Sequence, residues 1–135
     1  MKKPLAELRG ATEAMVAKLK AEGINDSDQF LAAAKTPQQR KELAKRCECA
    51  EREILELANR ADLARLKGIG GAYSDLLEKA GVDTIKELRH RRPDNLYAKI
   101  LEVNTAGQYV KQLPTQAQVE DWVNQAKELP PALEH

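Results

Sequence analysis

Apolar residues recur along the chain at helical spacing. Ile54, Leu57, Ala58 and Ala61 fall at i, i+3, i+4 and i+7. The same interval joins Tyr73, Leu76, Leu77 and Ala80, and again Val119, Trp122, Val123 and Ala126. Each set lays one apolar stripe along one side of a helix. Shorter stripes run through Leu5 and Leu8, through Met15, Val16 and Leu19, and through Phe30 and Leu31. Others hold Leu43 with Ala44, Ile85 with Leu88, and Leu96 with Ile100, Leu101 and Val103.

The residues between the stripes are helix punctuation. Pro4 suits a first helical turn, and Gly10-Ala11-Thr12 interrupts the face that Leu5 and Leu8 begin. Gly23 and Gly81 end helices, and Asn25 to Ser27 and Asp83 or Thr84 stand ready to cap the ones that follow. Thr36 with Gln39, and Thr115 with Gln118, have capping-box spacing. Cys47-Glu48-Cys49 marks a break. Pro93 reads as a stop, Asn104 to Pro114 as the least regular stretch, and Pro130-Pro131 as the end of the last helix.

The stretch from Leu63 to Val82 reads as helix, tight hairpin, helix, with Gly68-Ile69-Gly70 as the hairpin. Its glycines can take positive φ at no Cβ cost. The first N–H groups of the second helix have no acceptor within that helix, and the dipole makes them partly positive. With no side chain at Gly70 or Gly71, a phosphate can approach the backbone closely. Gly68, Ile69, Gly70 and Gly71 are therefore candidate phosphate-binding residues, with Arg65, Lys67, Lys86, Arg89, Arg91 and Arg92 as cations that add to them. Contacts of this kind fix position on a duplex and carry no sequence information.

The chain repeats itself. Shifted by 58 positions, Leu5, Ala6, Leu8, Gly10, Ala14, Leu19 and Gly23 meet identical residues at 63, 64, 66, 68, 72, 77 and 81. Further on the shift becomes 65: Ile54, Leu57, Ala58, Asn59 and Ala61 meet Val119, Trp122, Val123, Asn124 and Ala126. The added seven residues fit an insertion around Gly107. The expected architecture is all-α: two tandem helix-hairpin-helix-type halves packed as one compact unit. Residues 1–62 form the degenerate half and residues 63–132 the half with the intact hairpin. Of four candidate hairpins, the one at Gly68 to Gly70 has the two-glycine form.

Composition narrows the function classes. Aromatics are sparse at 4%, which with abundant Ala, Leu, Glu, Lys and Gln favours helix over strand. The net charge of +1 gives no global attraction to nucleic acid or an anionic membrane, so an electrostatic partner must be read by a local patch. No apolar run approaches the roughly 20 residues of a membrane helix. Met1-Lys2-Lys3-Pro4 lacks the apolar core of a signal peptide, and two cysteines make no disulfide framework. A cytoplasmic protein is expected. Leu133-Glu134-His135 resembles a histidine-tag remnant and is set apart from the fold.

Leu66-Lys67-Gly68-Ile69-Gly70, with Ser74 in the small-residue position, resembles the helix-hairpin-helix motif of sequence-independent DNA-binding proteins. The string from Asn59 through Gly70, then Ala80 to Thr84, and the closing residues 118–127 resemble the DUF4332 family of uncharacterised bacterial proteins. That resemblance covers most of residues 43–130 and bears on fold more than activity. The motif's resemblance implies contact with the phosphate backbone of double-stranded DNA, sometimes with a monovalent cation on hairpin carbonyls; no other cofactor is expected. Gly71 to Asp75 has no basic residue where DNA-binding examples usually place one. The alternative is a protein–protein interaction or scaffold module whose hairpin is purely structural.

The remaining candidates read as structure. Cys47 and Cys49 lack the further ligands of a tetrahedral zinc site and read as small turn residues. Trp122 lies on an apolar stripe and reads as core, against the alternative of a stacking platform for a base; Tyr73, Tyr97 and Tyr109 are read the same way. Arg89-His90-Arg91-Arg92 is either a solvated helix end or a phosphate patch. No nucleophile elbow, phosphate loop or zinc-peptidase helix is present. The expectation is a non-enzymatic protein with no catalytic and no metal-binding residues.

Overall fold

A computed structural model describes residues 2–134. Its regular structure is helical: among the described residues no β-strand forms, and one isolated bridge joins Pro4 to Asp26. No helix among them is long and apolar enough to cross a membrane. The chain divides into two compact units. One runs to Arg65 and takes the chain up again from Pro131; the other spans Leu66–Pro130.

The first unit has a 3-10 turn at Leu5–Glu7 and four helices: α1 (Glu13–Ala21), α2 (Ser27–Ala33), α3 (Pro37–Arg46) and α4 (Glu51–Leu63). The first three helices start where a polar residue accepts an orphan N–H group, whereas α4 follows Ala50, which has no side-chain cap. Thr12 Oγ1 accepts from Met15 N–H, Asp26 accepts from Gln29, and Thr36 and Gln39 close a full capping box. α4 lays its stripe against α2 and α3. Leu5, Leu19, Phe30, Leu43, Ile54 and Leu57 are buried in the resulting core.

Arg40 is buried in this unit although Gln38, Lys41 and Glu42 beside it in the chain are exposed. Its guanidinium donates to the carbonyls of Ala34 and Lys35, both at 2.9 Å, and of Glu134 at 2.7 Å. The first two lie at the C-terminal end of α2, where carbonyls lack helical partners. Burial pulls the Arg40 guanidinium below its ordinary pKa, and the three carbonyls compensate the lost hydration. Leu133 joins the same core, and Glu134 N–H donates to Lys35 O at 2.8 Å. Two of the three residues read as a tag remnant thus pack in this unit; His135 lies outside the described residues.

The second unit holds α5 (Gly71–Lys79), α6 (Ile85–Leu88), α7 (Pro93–Gly107) and α8 (Gln116–Glu128). α7 packs against α8 and α5, and α6 against α8. Leu76, Leu77, Ile85, Leu88, Ile100, Val119, Trp122 and Val123 are buried. Thr84 caps α6, and Thr115 with Gln118 forms the capping box of α8.

Three details add to the sequence reading or depart from it. Pro93 follows the end of α6, as a stop would, and also begins α7, because proline's fixed φ and missing N–H suit a first turn. α7 also runs on to Gly107, deep into the stretch expected to be irregular. The hairpin's first helix ends at Leu63, and Ala64 to Lys67 form turns. Asp62 explains the early stop: its carbonyl accepts Arg65 N–H at 3.1 Å and its carboxylate pairs with the Arg65 guanidinium at 3.0 Å.

Glycine is required unequally in the second unit. Gly81 has φ +95°, and a Cβ there would lie 3.0 Å from Arg91 Nη2. Gly70 has φ −101° and open space where its Cβ would be. Gly81→Ala is expected to cost about 1–2 kcal/mol through left-handed strain, and Gly70→Ala less than about 1 kcal/mol, by urea denaturation.

Candidate functional site

The hairpin is fastened from α8. Lys67 N–H donates to Gln125 Oε1 at 2.9 Å, and Gln125 Nε2 donates back to Lys67 O at 3.2 Å. One amide side chain thus satisfies both backbone groups of the residue before the turn. Gly68 then turns the chain with φ +91°, and Trp122 Nε1 lies 3.5 Å from where its Cβ would stand. The Tyr73 ring packs on Trp122, with centroids 5.4 Å apart. Ile69 points inward and is buried.

Gly70 is the N-cap of α5. Its backbone is extended, as a cap requires, but it brings no side chain to accept an N–H. The start of α5 opens on a cleft of about 490 Å³. Gly68, Gly70, Gly71 and Ala72 form one wall, and residues 109–112 with Tyr73 form the rest. α1 in the first unit makes the contrast, since there the Thr12 hydroxyl accepts from the Met15 N–H at 3.1 Å.

Segment 109–112 is held at both ends. Asn104 accepts from Val110 N–H at 3.0 Å and donates to Val110 O at 3.2 Å. Tyr73 Oη donates to Gln112 O at 3.1 Å. Lys111 is exposed on the same segment and lines the cleft. Apolar periodicity carried no sign of Gln125, Asn104 or Lys111; each acts through backbone or solvent and stands off the stripes.

The structure separates the candidate cations. Lys67 and Lys86 are exposed. Arg89 is turned inward and donates to the carbonyls of Ala126 (3.1 Å) and Leu129, closing the end of α8. Arg91 donates to Gly81 O at 3.0 Å and pairs with Glu87 at 3.0 Å. Arg92 is exposed and pairs with Asp94 at 3.2 Å. The Asn95 N–H, and then Arg92, hold the Asp94 carboxyl below its ordinary pKa. Arg65 is paired with Asp62 and largely buried. Of the ten candidate residues, Gly68, Gly70 and Gly71 meet at the cleft, Lys67 adjoins Gly68 in the chain, and the dense arginine run serves helix ends and turns.

Cys47 is buried and Cys49 half-buried at the end of α3. Burial first, then nearby negative charge, pushes both thiols up, which keeps them protonated and poorly nucleophilic. Among the described residues no three His, Cys, Asp or Glu side chains gather as a metal site would require.

The fold defines a small all-helical protein with an open, glycine-walled cleft at the start of one helix. The family model described as a domain of unknown function, DUF4332, matches residues 9–129, and the chain belongs to that family. No curated protein and no solved structure matches the chain.

The division of labour among the arginines has a stability consequence. Arg89→Ala removes two charge-assisted bonds to helix-end carbonyls and is expected to cost about 1.5–3 kcal/mol. Arg92→Ala, at an exposed ion pair, is expected to change stability by less than about 0.5 kcal/mol. Thermal melts of the two variants check this.

Proposed function

We propose that this protein is a non-enzymatic, sequence-independent DNA-binding protein of the cytoplasm that holds the phosphate backbone on its helix-hairpin-helix at Gly68 to Gly71. The observation that carries this reading is the start of α5, which lacks a side-chain cap and opens on the cleft. Its N–H groups offer a phosphate the partial positive charge and donors it needs. Lys111 lines the cleft and supplies a full charge there; Lys67, one residue before Gly68 in the chain, and Lys86 stand exposed in the same unit. The hairpin carbonyls are the place where a monovalent cation would bridge to the phosphate.

The reading includes an internal duplication, supported by helix bounds. A shift of 58 carries α1 onto α5 at both ends, and the start of α2 onto the start of α6. A shift of 65 carries α4 onto α8 at both ends. Gly10 and Gly23 have positive φ, as do Gly68 and Gly81. The seven residues that separate the two shifts fall where α7 lengthens and the cleft wall follows. In one copy Thr12 seals the helix start; in the other Gly70 leaves it open.

A second reading rests on the arginines. Arg89 and Arg91 are spent on internal carbonyls and Glu87, and acidic and basic residues balance between 66 and 130. That favours a protein partner, with the hairpin serving to pack helices.

The two readings separate under salt. Three lysines on phosphates give a slope of log affinity against log salt of about −2 to −3, whereas apolar docking gives little slope. Gly70→Asp supplies α5 with a cap and a favourable charge, so stability rises by a few tenths of a kcal/mol. The same carboxylate fills the phosphate position, and duplex affinity is expected to fall at least about tenfold. Absence of duplex binding at low salt, or full binding by folded Gly70→Asp, would overturn the DNA reading.

A further inference from the structure

The cleft has a second wall whose chemistry is unlike the hairpin's. Tyr109 lies on bare backbone: a Cβ at Gly107 would stand 2.3 Å from its Cε2 and 2.7 Å from its Cζ. The ring therefore occupies the space a side chain at 107 would fill, and Tyr109 is partly exposed and lines the cleft. The chain beyond it is irregular, and ordering such a segment costs conformational entropy. Asn104 and Tyr73 meet that cost with three hydrogen bonds, to Val110 and Gln112. An aromatic face is thus fixed opposite the glycine wall, with Lys111 two residues further on.

A phosphate alone needs no aromatic wall. A nucleotide has an anionic phosphate and a flat base, and the cleft's two walls offer donors for one and a ring for the other. Its volume of about 490 Å³ suits a ligand of that size. A base inside a duplex is stacked and cannot reach the ring; an unpaired one can. We propose that the cleft takes one unpaired nucleotide at the end of a DNA duplex, its phosphate against the backbone of Gly70 to Ala72 and its base on Tyr109. This rests on the phosphate-binding reading of the hairpin and adds the form of DNA preferred.

The test compares a blunt 16-base-pair duplex with the same duplex carrying one unpaired thymidine at its 5′ or 3′ ends, by fluorescence anisotropy at low salt. Wild type is expected to bind one of the overhang forms about tenfold more tightly than the blunt form, the worth of one base stacked on an aromatic ring. Tyr109→Phe keeps that preference. Tyr109→Ala abolishes it. Gly107→Ala displaces the ring without removing it and also abolishes the preference, which covers the case in which Tyr109→Ala fails to fold by circular dichroism. Equal binding of blunt and overhang forms by wild type, or a preference that survives in folded Tyr109→Ala, overturns the proposal and leaves the hairpin reading intact. No binding of any form overturns both.

Discussion

A helix that begins at glycine leaves its first donors to be satisfied from outside, and α5 is such a helix. Thr12, Asp26, Thr36, Thr84 and Thr115 each bring an oxygen to the first turn of the helix that follows. Gly70 brings none. Around that omission the second unit is arranged with some care. Gln125 fixes Lys67 by both of its backbone groups, Trp122 sits beneath Gly68, and Tyr73 reaches across to Gln112. The backbone at the helix start is therefore held in place by its surroundings, without a cap that would use up its donors. Preorganised donors of this kind bind an anion with little further ordering.

The cations tell the other half. Arginine's planar fork suits it to helix-end carbonyls as well as to phosphates, and in this chain Arg40, Arg89 and Arg91 take carbonyls. What remains exposed near the hairpin is lysine. Lysine offers a mobile point charge without fixed geometry, which suits contacts that do not depend on base sequence. On the proposed DNA reading, binding would depend on salt and be set by backbone donors and two or three lysines.

Much of the fold was legible in the sequence, because the devices that specify it are local. Apolar stripes at i, i+3, i+4 and i+7 gave the helices, and Thr36-Pro37-Gln38-Gln39 and Thr115 with Gln118 gave starts that the structure repeats. Sequence says less where one residue type serves two ends of a helix. Pro93 forbids a helix behind it and favours one ahead, and here the helix ahead was the longer. Asn104 looked like the onset of a loop, yet its side chain stabilises the chain beyond the helix that contains it. The glycine wall of the cleft was visible as a motif. The opposite wall was not, because Tyr109 is placed by the missing side chain of Gly107 and by bonds from Asn104 and Tyr73, contacts that leave no periodic trace. The arginine run illustrates the same limit: charge density is written in the sequence, but whether a guanidinium faces solvent or a carbonyl is decided by packing.

The most direct measurement is a 1H–15N correlation spectrum of the labelled protein titrated with a short DNA duplex at low salt. If the open start of α5 is a phosphate site, the amide signals of Gly70, Gly71 and Ala72 shift progressively, ahead of those of α1, and return when salt is raised. Signals that stay in place at Gly70 to Ala72 while the duplex binds elsewhere, or that do not respond at all, would contradict it.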